Sequence, residues 1–194
     1  MTMHTIARPC LLTIRRFLQE RRGVSAVEFA LLLPVMLTLY LGGTEVTQGI
    51  TIKRKTTIVT RAIGDLVAQS STITNTQMTN ILGAAASIVA PYPVADLKIV
   101  VSSVSIDGAG VAKIVWSDAT ANTTARTPGT DVTLPTGLNA FPNTTLIWAE
   151  ASYTFTPPVG YVITGDVNLS DKMYLRPRLV SKVCRDTGAG APLC

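Results

Sequence analysis

The apolar and polar positions along the chain follow three different rhythms. From Val24 to Thr44 the sequence VSAVEFALLLPVMLTLYLGGT runs 21 residues with a single charged side chain, Glu28. A helix of that length rises roughly 31 Å, which matches the hydrocarbon core of a bilayer. Phe29 to Thr44 lacks the polar stripe carried by a surface helix of a soluble protein, so 24–44 is predicted to span a membrane once. A cleaved secretory signal shares the basic flank and the apolar run. Against it, Leu39-Tyr-Leu-Gly-Gly-Thr-Glu45 offers no clear small-x-small cleavage site.

A helical rhythm continues beyond the span. Val59, Ala62, Ile63, Leu66 and Val67 share one side, while Arg61 and Asp65 stand as an i,i+4 pair on another. The span is therefore expected to extend as an exported stalk to about Gln69. Its Thr- and Ile-rich part, 47–57, has poor helix propensity, so contacts in an assembled lattice are expected to hold it. Thr74 and Gln77 form a capping box that opens a second helix, with Met78, Ile81, Leu82, Ala85, Ile88 and Val89 as its core face. Pro91 and Pro93 close it.

The period then drops to two. Leu97 to Ile106 and Val111 to Trp116 flank Asp107-Gly-Ala-Gly110 and predict a hairpin. A third strand alternates Ile147, Ala149, Ala151, Tyr153 and Phe155 on one face and stops at Pro157-Pro158. A fourth is expected over Met173 to Val183, where Pro177 suits an edge strand or a bulge. Between the second and third lies a Thr-rich segment, 117–145, too long for an ordinary connection and expected as a surface loop. The predicted fold is α+β: a long N-terminal membrane and stalk helix, a second helix, then a four-stranded, mainly antiparallel sheet. Four segments follow: a basic leader, 1–23; the span, 24–44; the helical stalk and second helix, 45–93; and a β-rich domain, 94–194.

Charge orients this arrangement. The chain carries +5, yet Arg8, Arg15, Arg16, Arg21 and Arg22 precede position 24 with one acid, Glu20, leaving +1 for everything after it. Arg21 and Arg22 abut the span, whereas the nearest basic residues beyond it are Lys53, Arg54 and Lys55, so the N-terminus is expected to stay cytoplasmic and the domain to be exported. From Asp96 onward acids and bases are equal at eight each, which gives no electrostatic footprint for nucleic acid.

Glu28 is costly inside an apolar run and calls for a partner or a role. Its surroundings, Arg22-Gly-Val-Ser-Ala-Val-Glu-Phe29, place a basic residue and a glycine immediately before the apolar helix and the acid five residues after that glycine. This resembles a type IV prepilin processing site, and the resemblance implies a membrane peptidase that cuts between Gly23 and Val24. More specifically, Arg22, Gly23, Ala26, Val27, Glu28, Phe29, Ala30, Leu31 and Pro34 resemble the N-terminal signature of TadE-like minor pilins, or pseudopilins, of tight-adherence pilus systems. Weaker similarity continues through Arg61 to Gln69, Trp116-Ser117 and Glu150 to Pro157. The major pilin of such systems usually has Glu-Tyr where this chain has Glu28-Phe29, and TadG-type proteins generally lack the acid.

The resemblance implies a minor pilin set in the inner membrane, with the bilayer, a prepilin peptidase and other pilin subunits as partners and adhesion as the outcome. The alternative is a permanently anchored periplasmic assembly or binding protein whose leader stays on. Cleavage would create an amine on Val24, one helical turn from Glu28, and Glu28 with Phe29 would then set the register of neighbouring subunits. Pro34 predicts a kink, and Gly42-Gly43 a loosened joint where the helix leaves the membrane.

Two cysteines, Cys184 and Cys194, flank a short Gly-containing tail and are candidates for a disulfide in an oxidising periplasm, with free thiols as the alternative. Catalysis finds little footing. The one histidine, His4, lies in the leader, so the exported part has none for a triad or a metal site, and no phosphate-binding glycine loop precedes a helix. No cofactor, metal or enzymatic activity is expected.

Overall fold

The computed structural model describes residues 22–138, 141–160 and 163–194. The predicted leader, 1–23, lies outside the described residues except for its last two. Helix α1, Arg22–Ala68, runs 47 residues without interruption through Pro34 and through Gly42 and Gly43. Its two halves have different surroundings. Up to Tyr40 the apolar side chains stand clear of the rest of the chain, with Leu31 72% and Leu39 71% exposed. From Gly42 onward one side is covered, and Ile52, Val59, Ile63 and Val67 enter the core.

Packing explains how a Thr-rich segment stays helical. Ile52 and Thr56 are buried, and the hydroxyls of Thr47, Thr51, Thr56 and Thr60 donate back to the carbonyls of Gly43, Thr47, Ile52 and Thr56 at 2.7 to 2.9 Å. The contacts that hold it are made by the chain's own sheet, where contacts between subunits were expected. Asp65 also departs from expectation: it pairs with Arg178 from the far end of the chain, not with Arg61.

A two-residue strand β1, Thr72–Ile73, leads to helix α2, Asn75–Val89. The capping box is formed as predicted: the Gln77 N–H donates to Thr74 Oγ1 at 3.3 Å, and the Thr74 N–H donates to Gln77 Oε1 at 2.9 Å. Met78, Ala85 and Val89 are buried, with Ile81, Leu82 and Ile88 packed beside them.

After a turn of 3₁₀ helix, Val94–Asp96, come β2, Leu97–Ile106; β3, Ala112–Ala119; β4, Asp131–Val132; β5, Thr144–Phe155; and β6, Val167–Leu175. They form one antiparallel sheet in the order β4-β3-β2-β5-β6, so it has five strands where four were expected. The additional strand, β4, comes from the Thr-rich segment. The last strand is an edge strand, but it begins at Val167 and ends at Leu175, before Pro177, whose missing N–H no longer matters to the ladder. Lys53 of α1 donates to the Ser170 carbonyl, giving β6 a charged guard against further pairing. A second, two-stranded sheet pairs β1 in parallel with β7, Cys184–Arg185.

One continuous ladder, Leu97↔Tyr153 to Ile106↔Thr144, places odd-numbered residues of β2 and β5 on the inner face and even-numbered ones on the outer face. The inner face carries Leu97, Ile99, Val101, Ile147, Ala149, Ala151, Tyr153 and Phe155 against α1 and α2. The outer face is apolar only at one end, where Val104, Ile106, Ile114, Leu146 and Trp148 form a smaller core closed by Leu134. The Thr-rich segment is thus partly a cover over the sheet, since Leu134 is 5% exposed.

Candidate functional site

The uncovered half of α1 is the most unusual surface of the molecule. Val24, Val27, Phe29, Leu31, Leu32, Val35, Met36, Leu39 and Tyr40 are exposed. Such an extent of apolar surface is stable only against lipid or other apolar helices. It is the one helix among the described residues long and apolar enough to cross a membrane. Thr38, the polar residue near its middle, hides its hydroxyl by donating to the Pro34 carbonyl at 2.8 Å.

Gly23 and Val24 lie on this helix, exposed, and a Cβ at Gly23 would meet no other atom within 4 Å. Glu28 stands on the same exposed helix and pairs with no described residue. Phe29, its neighbour, is 60% exposed. Pro34 and Gly43 are also exposed, whereas Gly42 is buried where the domain first covers the helix.

One residue at that boundary escaped sequence reasoning. Glu45 is 1% exposed and accepts the Ile163 N–H at 3.1 Å on its Oε2. It ties the β5–β6 loop to the helix just above the apolar run. The signal in the sequence was an acid one turn beyond Gly42-Gly43 with no basic residue nearer than Lys53.

The far end of the chain closes the domain through a buried arginine. Arg185, 6% exposed, meets Asp118 in a fork, with Nε to Oδ2 at 2.7 Å and Nη2 to Oδ1 at 3.2 Å. It also donates to the carbonyls of Ile73 and Asp186 and to Asn75 Oδ1. Cys184 and Cys194 are joined by a disulfide beside it. Trp116 Nε1 donates to the Val183 carbonyl at 2.8 Å, so β3 holds the tail on both sides of Cys184.

On the outer face, Arg126 from the Thr-rich segment pairs with Glu150, donates to Ser102 Oγ at 3.2 Å and lies 3.8 Å above the Trp148 ring. Trp148 stacks in turn on Tyr174, with ring centroids 5.3 Å apart. Burial pushes the Tyr174 phenol above its ordinary pKa; Glu150 adds to that, and Arg126 works against it. No three His, Cys, Asp or Glu side chains among the described residues are grouped to hold a metal ion.

Comparison with known proteins finds a likeness in one N-terminal stretch of the chain. No curated protein and no solved structure matches it. The stretches from Arg61 to Gln69, around Trp116 and from Glu150 to Pro157 fall wholly or largely outside the family match that does exist. Residues 23–62, which hold Gly23, Glu28, Pro34 and the glycine pair, match the family model of TadE-like proteins, so the chain carries a TadE-like N-terminal segment.

Proposed function

We propose that the chain is a minor pilin, or pseudopilin, that takes part in assembling a tight-adherence (Flp-type) pilus used in adhesion. Residues 24–44 insert in the inner membrane, with the N-terminus cytoplasmic and the domain periplasmic. A prepilin peptidase removes the leader between Gly23 and Val24. The observation that carries this reading is one of place: the TadE-like match, 23–62, includes the whole stretch of helix that the domain leaves bare, and Glu28 is the one charged residue inside that stretch.

The chemistry follows from that placement. Cleavage creates a positive amine on Val24, which offsets the cost of keeping the Glu28 carboxylate in an apolar medium. The same carboxylate can accept from the amine of a neighbouring subunit and so fix the axial register of an incoming helix, with Phe29 packed beside it. Contacts of this head-to-tail kind do not close on themselves and build open helical polymers. Pro34 and the glycine pair give the helix a place to bend as a subunit leaves the bilayer.

N-terminal sequencing of protein extracted from membranes with active prepilin peptidase tests the reading. A start at Val24 is expected. A start upstream of it would replace the processed pilin with a permanently anchored assembly or binding protein. Glu28→Ala is expected to abolish piliation without preventing insertion, and unchanged piliation would remove the register role from this carboxylate.

A further inference from the structure

The even balance of acids and bases in the domain hides a segregation by face. The ladders among β2, β5 and β6 set Lys98 beside Ser152 and Ser170 in one row, and Val100 beside Glu150 and Lys172 in the next. By the same alternation Tyr174 and Trp148 occupy the following row, and Arg176 follows β6 with its guanidinium 4.5 Å above the Phe141 ring. The outer face therefore presents Lys98, Arg126, Lys172 and Arg176 against one acid, Glu150. Arg126 already neutralises that acid, and Lys98, Lys172 and Arg176 form no ion pair with any described residue. The acids that balance the total stand elsewhere: Asp118 is bound to Arg185, Asp131 to Lys113, and Asp171 belongs to the inner side of β6.

Lys98 and Lys172 flank a shallow cavity of about 490 Å³ whose walls also include Thr123, Glu150, Ser152, Ser170 and Asp171, the last from an inner-face position of β6. That volume falls within the roughly 300–1,000 Å³ of small-ligand sites. The lysines stand two strands and one row apart, which separates their Cα atoms by roughly 12 Å. Hydroxyls line the space between them, and Glu150 is held in place by Arg126.

We propose that this face binds an acidic polysaccharide, with uronic-acid carboxylates taken by Lys98 and Lys172 and sugar hydroxyls by Ser152, Ser170, Thr123 and Glu150. Charge selects an anionic partner, and the hydroxyl-lined floor selects a sugar. A single-stranded nucleic acid would require bare aromatic rings on which its bases could stack. Here Trp148 is 7% exposed beneath Arg126, Tyr174 stacks on Trp148, and Phe141, 49% exposed, has one ring face covered by Arg176. The site does not depend on how the N-terminal helix is processed.

The test is calorimetric titration of the full chain, in uncharged detergent, with tetragalacturonate, with maltotetraose as a neutral probe of equal length, and with a short oligodeoxythymidylate. Tetragalacturonate is expected to bind, to weaken as salt is raised, and to lose about tenfold in affinity with either Lys98→Gln or Lys172→Gln. Lys113→Gln, on the same sheet but paired with Asp131 at 3.8 Å, should leave binding unchanged. No binding of tetragalacturonate, equal binding of maltotetraose, equal loss with Lys113→Gln, or tighter binding of the oligodeoxythymidylate would each overturn the proposal. Both lysines are exposed, so circular dichroism of the variants should match the parent.

Discussion

Arg185 shows how much a single side chain can organise. Its five donors are distributed over Asp118, Ile73, Asn75 and Asp186, which belong to β3, β1, α2 and the tail. Arg185→Met is expected to destabilise the chain by about 3–5 kcal/mol, because it leaves the Asp118 carboxylate without its partner. Arg185→Lys should recover only part of this, since an ammonium cannot reproduce the fork. Urea unfolding in detergent measures both, and a loss below about 1 kcal/mol for the Met variant would show that water satisfies Asp118 instead. None of this was legible in the sequence. Arg185 is one basic residue in a polar tail, and its partners lie 67 and 110 positions away in the case of Asp118 and Asn75. Cys184 and Cys194 were legible as candidates because their pairing is local.

At the level of elements, what the sequence exposed is what local chemistry determines. The long apolar helix, the capping box of α2, the first hairpin and the alternation of β5 all follow from periodicity and turn residues within short windows. The fifth strand did not, because two residues in a Thr-rich segment become β4 only by pairing with β3. The position of β6 also escaped, because Asp171 interrupts its inner face and shifts the apparent apolar run toward Val183. Glycines inside helices show the same contrast. At Gly64 a Cβ would lie 2.8 Å from Leu175 Cδ1 and 3.2 Å from the Ala149 Cβ, so a side chain there would press on the sheet and displace Leu175. Gly64→Val is expected to cost about 1–3 kcal/mol by overpacking. At Gly83 in α2 nothing lies within 4 Å, and Gly83→Ala should stabilise by about 0.8–1 kcal/mol through helix propensity. Opposite signs for these two substitutions in thermal unfolding are the expected result, and the same sign would refute the close packing at Gly64.

For the whole molecule, the quantity that sequence reasoning averaged away was spatial distribution. A +5 chain with a balanced domain becomes a bare apolar helix joined to a domain that gathers four of its eight cations, Lys98, Arg126, Lys172 and Arg176, on one face. The same spatial view explains where the molecule responds to pH. Tyr153 is 3% exposed on the inner face, with its ring 6.5 Å from that of Tyr92, and its hydroxyl donates to Asp96 Oδ2 at 3.5 Å. Burial first, then the Asp96 charge and this hydrogen bond, push its pKa from 10.0 to about 12. Below pH 10 both folded and unfolded chains keep the proton, and the stabilisation is present in full. Between pH 10 and 12 the unfolded chain releases the proton while the folded chain retains it, so unfolding becomes easier as pH rises. The expected loss across that window is about 2–3 kcal/mol. Tyr153→Phe cannot titrate, so it should remove this part of the slope while lysine deprotonation acts on both proteins alike. Unfolding midpoints of the two chains, measured from pH 9 to 12, should fall more steeply with pH for the parent than for Tyr153→Phe. Parallel curves would mean that Tyr153 ionises as freely in the fold as outside it, and that the contact between the sheet and Asp96 is open to water.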